Sequence, residues 1–340
     1  MKILRNTIKH YQLTSFFVLT YLSTWLLLLP FLLTGDEQTF GILVIIGIFC
    51  PALVNIFISR YINPNRDDNA KGKRRILFFA TWIIATLVFS FNVETTSGIE
   101  SPVAIVIFAV LGLLPAFVLS SVYSKYTSVR RSLSSLLKPK GHIGWYLFAL
   151  LIVPAIRILS IPLTHLLGFE AIDEPNPEGN ILELVGLITI SFFYGLVFTG
   201  GLNEETGWTG FALPRLQVYF SPFISSIVLW FFWIVWHMPM QIAGFWNSDI
   251  DSFIRALIGT FFARFIFTWL YNKTNGSILP AILLHASANT CFSFLPSSHV
   301  HMILDAALAI IIIIYSRMWI KLPIESPAVY ESNKIRIINK

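Results

Sequence analysis

Runs of about 20 apolar residues, separated by short polar segments, recur along the chain from Leu13 almost to Ile320. A helix needs about that many residues to cross about 30 Å of hydrocarbon, whereas a membrane β-barrel alternates polar and apolar positions. The runs predict spanning helices at about 13–34, 39–59, 76–93, 101–123, 143–167, 181–203, 222–243, 252–271, 278–295 and 302–320. The expected fold class is all-α, a polytopic integral membrane helical bundle of roughly 8–10 transmembrane helices. The first run follows Lys2, Arg5 and Lys9, but it is long and has no small-residue cleavage site, so it reads as a retained helix. No internal repeat, heptad seam or low-complexity tract interrupts this pattern.

Composition agrees with a lipid solvent. Hydrophobic residues make up 55% of the 340 positions and charged residues 12%, and the mean hydropathy is +0.71. That is too little polar surface to cover a water-soluble globule. The net charge of +6 comes from cations in short loops, a pattern that sets orientation and speaks against nucleic acid as a partner. Residues 60–75 carry Arg66, Lys71, Lys73 and Arg74, and the stretch after Tyr123 carries Lys125, Arg130, Arg131, Lys138 and Lys140. Both are expected to face the cytoplasm, with both termini on that side. The acidic loop 168–183, with Glu170, Asp173, Glu174 and Glu178, falls opposite. Cys50 and Cys291 lie in apolar segments and read as packing residues.

An ionisable group in lipid is expensive, about 2.5 to 3.5 kcal/mol on insertion scales. Three segments concentrate such groups: Asn203-Glu204-Glu205-Thr206-Gly207-Trp208-Thr209-Gly210, Trp233 to His237, and His285 to Asn289. His285 and Asn289 are four residues apart and share a helical face, as a metal-ligand face or a polarising pair would. Glu204 and Glu205 lie about 100° apart on a helix, so they cannot both face one site. Two imidazoles and a carboxylate are the equipment for holding a divalent metal or activating water at neutral pH. Trp208, four residues after Glu204, would desolvate that carboxylate and make it a better base. His10, His142, His165, His299 and His301 fall near span ends and need no function, Asp305 sits one turn from a boundary, and Arg215 reads as a positive-inside anchor.

These three segments, in this order and in a membrane setting, resemble the CPBP family, which groups type II CAAX prenyl proteases with bacteriocin-processing and bacteriocin-immunity membrane proteins. The family pattern is EExxxR, FxxxH and HxxxN. Here Glu204-Glu205 opens the first motif, His237 closes the second, and His285 with Asn289 forms the third. The resemblance implies that Glu204 and His237 activate a water molecule, that His285 and Asn289 stabilise an oxyanion, and that Glu205 supports them. It implies an intramembrane endopeptidase acting on a membrane-associated peptide or protein, prenylated or not, in a cell membrane, with bacterial plasma membrane favoured. A Zn²⁺ ion held by Glu204, His237 and His285 and a metal-free glutamate mechanism are both compatible with these residues. On this reading residues 1–180 are N-terminal transmembrane helices, 181–296 the catalytic core, and 297–340 a last helix with a basic tail.

The chain departs from the pattern twice. Thr209 stands where the family has Arg, and Trp233 where it has Phe. An arginine four residues after Glu205 would pair with it along one helical face, so Arg264, Arg255 or Arg157 is expected to take over that role. The missing arginine favours a rival, a non-proteolytic immunity or scaffolding protein of the same family. Intramembrane Glu and His would also serve a proton-coupled transporter. The span boundaries leave Glu204 at the cytoplasmic edge, with His285 about 10 Å and His237 about 20 Å deeper at the standard helical rise. The sixth helix is therefore expected to start later and run on through the Glu pair, burying Glu204.

Overall fold

Each of the ten apolar runs is mainly helical over its described residues. The computed structural model describes residues 2–34, 37–97, 101–137, 139–173, 175, 179–242 and 249–330. Glu174 and Glu178 of the acidic loop, Lys138, Met1 and the basic tail from residue 331 lie outside the described residues. The chain divides into two units, one of Met1–Lys138 with Val197–Gly207 and one of Pro139–Leu196 with Trp208–Lys340.

The first unit begins with α1 (Lys2–His10) and α2 (Gln12–Thr34), followed by α3 (Glu37–Ile48) and α4 (Cys50–Ile62). The second apolar run is broken between α3 and α4 by a 44° bend. Pro51, in the first turn of α4, has no N–H to offer the preceding turn, so the hydrogen-bond ladder restarts there. A hairpin follows of α5 (Lys71–Ser97) against α6 (Ser101–Leu111) and α7 (Leu113–Ser120), and α8 (Thr127–Leu133) packs on α4. Gly112 sits between α6 and α7, and a Cβ there would lie 2.7 Å from the carbonyl oxygen of Phe108.

The second unit holds α9 (Gly144–Leu166) and α10 (Ile181–Val197). After a short passage through the first unit, which contains α11 (Gly201–Glu205), the chain returns in a π-helix, Trp208–Ala212, and continues into α12 (Leu213–Tyr219). Then come α13 (Pro222–Ile242), α14 (Ile250–Lys273), α15 (Leu279–Phe294) and α16 (His299–Tyr315). The core of this unit is built from Ala149 of α9, Phe265 and Leu270 of α14, Leu284 of α15 and Ile312 of α16. Trp145 and Phe148 close it edge-on against Trp269, at ring distances of 5.0 and 5.4 Å. A feature that hydropathy did not predict is a two-stranded antiparallel ladder, β1 (Ala171–Asp173) with β2 (Ser297–Ser298), which ties the acidic loop to the α15–α16 turn.

Among the described residues, six helical stretches are long and apolar enough to cross a membrane, or seven if the bent α3–α4 pair is one span. The other three runs differ in kind. The helices α15 and α16 have only 16 and 17 residues, about 24 and 26 Å at the α-helical rise. The helix α5 ends in residues whose side chains lie outside the described set. Large apolar side chains such as Leu26, Ile84, Leu159 and Ile311 are each more than half exposed, which in water would be a severe aggregation liability and in hydrocarbon is the stable arrangement. The chain is a multi-pass helical membrane protein.

Candidate active site

The Glu pair is carried by a break in the sixth apolar run. The helix α10 ends at Val197, and Gly200 adopts φ +105°, a conformation that a Cβ would penalise. Asn203 holds the break together. Its Oδ1 accepts from the backbone N–H of Gly200 at 2.8 Å and of Glu204 at 3.1 Å, and its Nδ2 donates to the carbonyl oxygen of Phe198 at 2.8 Å. The one-and-a-half-turn α11 that follows carries Glu204 and Glu205, both buried. Glu204 is thus buried as expected; the helical stretch starts at Ile181 rather than later, is interrupted at Gly200, and runs on past the pair to Tyr219.

Within the first unit the segment after the pair is clamped against α4. Asn55 donates from Nδ2 to the carbonyl oxygen of Thr206 at 2.8 Å, while its Oδ1 accepts from Ser59 and Ser132 at 3.0 and 2.8 Å. A Cβ at Gly207 would come within 2.6 Å of Pro51 backbone atoms. The chain continues as a π-helix from Trp208. Trp208 and Thr209 belong to this π-helix and are both buried. Trp208 packs its ring on that of Trp236 at 5.6 Å. Hydropathy missed Asn55, Asn203 and Gly207. The available signals were an amide in the middle of an apolar run and the Gly200-Gly201 dipeptide, a breaker.

The imidazoles belong to the second unit. His237 on α13 is buried, with the ring of Trp233 at 4.0 Å and that of Trp236 at 4.5 Å. Its Nδ1 lies 2.9 Å from the carbonyl oxygen of Trp233. A carbonyl oxygen only accepts, so Nδ1 carries the proton, and in the neutral ring Nε2 keeps its lone pair for a proton or a metal. Arg264 of α14 is buried, with its guanidinium 5.7 Å from the Trp233 ring and 4.8 Å from the Phe267 ring. Phe267 in turn meets His285 of α15 edge-on at 5.9 Å. Arg264 and His285 are near enough to act on His237 electrostatically. The two histidines thus flank one arginine through two aromatic rings.

His285 and Asn289 are half-buried on α15. Gly195 of α10 lets that helix lie beside them, since a Cβ there would sit 3.5 Å from Ala286 and 3.7 Å from the Cβ of Asn289. Ser287 donates to the carbonyl oxygen of Leu150 at 2.8 Å and anchors α15 to α9. Of the other arginines, Arg157 donates to the carbonyl oxygen of Pro296 and faces the Phe292 ring at 4.7 Å, and Arg255 donates to Ser252. Arg215 is no surface anchor. It is buried between the rings of Phe211 and Tyr330, 3.5 and 3.7 Å away, and donates to the carbonyl oxygen of Phe211. His301 is buried too and accepts from the N–H of Ser298 at the start of α16. Cys50 and Cys291 are free and buried, as packing residues should be. Among the described residues, no three His, Cys, Asp or Glu side chains gather in the way a metal ion requires.

Residues 186–291 match the family model of type II CAAX prenyl endopeptidases, Rce1-like. A curated relative, CAAX prenyl protease 2 of Methanococcus maripaludis, is 28% identical over 145 residues, which is 41% of this chain and 52% of the relative. The match therefore spans about half the length of that relative. Both the Glu pair and the histidine pair fall inside the matched segment, in the order of the family's motifs. Residues 186–291 of this multi-pass membrane protein are thus similar to the CAAX prenyl endopeptidases.

Proposed function

We propose that this chain is an intramembrane endopeptidase that hydrolyses a peptide bond of a membrane-associated peptide or protein. The observation that carries the reading is the family match over residues 186–291, which brackets Glu204, Glu205, His237, His285 and Asn289. In this reading the Nε2 lone pair of His237 orients a water molecule, and Glu204 removes its proton as the oxygen attacks the peptide carbonyl carbon. The carbonyl π pair moves onto oxygen, where N–H groups of His285 and Asn289 stabilise it. The C–N bond then breaks, and the amine leaves with the proton that Glu204 received. Glu205 supports the carboxylate that acts as base. The tryptophans at 208, 233 and 236 keep bulk water away, which strengthens each of these interactions.

A Zn²⁺ ion on Glu204, His237 and His285 would add Lewis-acid polarisation of the carbonyl, while the proton transfers need only the carboxylate and the imidazole. The prenylated C-terminal peptide is the first substrate to try, because the relative is named for acting on it. The reading sets the chain in a cell membrane with the basic loops at 60–75 and 123–140 and both termini in the cytoplasm.

The test is cleavage of matched farnesylated and unfarnesylated fluorogenic peptides by purified protein in liposomes, with and without a zinc chelator. Glu204→Gln and His237→Ala should each lower turnover by at least about a hundredfold. Turnover equal to that of the parent in both variants would sink the mechanism. Loss of activity in chelator with recovery on added zinc would assign the metal route, and full activity in chelator the metal-free one.

A further inference from the structure

The first unit contains a cavity of about 680 Å³, within the range of about 300–1,000 Å³ typical of ligand sites. Towards Cys50 its lining is mostly apolar, with Leu27, Ile46, Leu53 and Val54 beside Ser23. Its mouth is basic, formed by Arg60 at the end of α4, Arg74 in the first turns of α5, and Lys125. Cys50 and Arg60, both on α4, line opposite parts of it; ten residues of helix separate them by about 15 Å. The cavity is therefore long, with one greasy and one charged end.

The three lining cations, with Arg66 beside them, lie close together. The Tyr126 ring has Arg60 at 4.8 Å, Arg66 at 5.6 Å and Lys125 at 5.6 Å, and Arg74 lies 5.9 Å from the Phe117 ring. Among the described residues, no Asp or Glu lines the cavity. Among the described residues, none of these four cations forms an ion pair, because the neighbouring Asp67 is taken by Arg130 at 2.8 Å. Like charges at this spacing repel, and cation–π contacts offset only part of that cost. An anion at the mouth would relieve it.

We propose that this cavity is a binding site for a single anionic phospholipid, with an acyl chain in the apolar part and the phosphate between Arg60, Arg74 and Lys125. The apolar length disfavours a free phosphate. The unneutralised cations disfavour phosphatidylcholine, which would bring its own positive charge to the mouth. The proposal does not depend on the peptidase reading, since none of these residues belongs to that machinery.

Native mass spectrometry of the full chain in a neutral detergent tests it, with dioleoyl phosphatidylglycerol, dioleoyl phosphatidylcholine, inorganic phosphate and a farnesylated peptide with a free C-terminus as probes. One phosphatidylglycerol should bind at least tenfold tighter than phosphatidylcholine. Each of Arg60→Gln, Arg74→Gln and Lys125→Gln should weaken it about five-fold, and the triple variant should lose the preference. The triple variant should melt at the parent's temperature in lipid-free detergent, because the replaced groups repel one another. Three outcomes would overturn the proposal: an unchanged preference in the triple variant, displacement of the lipid by millimolar inorganic phosphate, or tighter binding of the farnesylated peptide than of phosphatidylglycerol at the same residues. If the triple variant fails to fold, the single Lys125→Gln variant decides by the same five-fold criterion.

Discussion

His237 and Trp233 are joined twice, by an Nδ1–H to carbonyl hydrogen bond of 2.9 Å and by rings whose centroids are 4.0 Å apart. The hydrogen bond uses the backbone of position 233 and so survives any side chain there. It sets the tautomer of the neutral ring, with Nε2 unprotonated.

Trp233→Phe restores the family's aromatic residue and should keep kcat/KM for a cleaved peptide within about three-fold, since backbone and tautomer are retained. His237→Gln has no ring lone pair to offer and should lose at least about a hundredfold. Comparable loss in both variants would show that the tryptophan ring, rather than the imidazole tautomer, governs the site.

Asn203 makes three buried hydrogen bonds to the break before α11. Asn203→Ala should destabilise the protein by about 3 kcal/mol, at about 1 kcal/mol for each bond. Thermal unfolding in detergent measures this, and peptide turnover should fall with it because the Glu204 backbone loses its tether.

Gly207 and Gly195 separate two effects of a glycine. A Cβ at Gly207 meets Pro51 backbone at 2.6 Å, whereas one at Gly195 meets Ala286 at an ordinary 3.5 Å. Gly207→Ala should cost at least about 2 kcal/mol through overpacking. Gly195→Ala should lie within about 1 kcal/mol of the parent, on the stabilising side, because alanine is the better helix former. Unfolding of the two variants side by side decides the point.

Asp249 caps α14, with its Oδ1 accepting from the N–H of Ser252 at 2.8 Å. Hydrogen bonds from Ser252, the side chain first and then the backbone, hold its carboxyl below the usual carboxylate range. A carboxyl depressed in the folded state stabilises above its unfolded pKa, and that stabilisation disappears as pH falls through the folded value. The protection of amides in the first turn of α14, relative to their intrinsic exchange at the same pH, should therefore fall at acid pH in the parent. In Asp249→Ala that protection should be low and no longer change with pH over that range.

Much of the architecture is legible in the order of residues. Hydropathy is a local property, and a span of 143–167 read from it meets α9 at Gly144–Leu166. The family resemblance likewise singles out Glu204, Glu205, His237, His285 and Asn289 as candidates, because the type and order of polar residues in an apolar chain need no coordinates to be seen. What only the tertiary structure decided depends on groups remote in sequence. The helix breaks at Gly200, and the segment after the Glu pair is clamped by Asn55, which is 151 residues from the carbonyl it binds. Arg215 is buried because Tyr330 arrives from the far end of the chain to cover it. A hydropathy window averages each residue's preference for lipid or water. Backbone approach, stacking and hydrogen-bond partners are set by neighbours that such a window never contains.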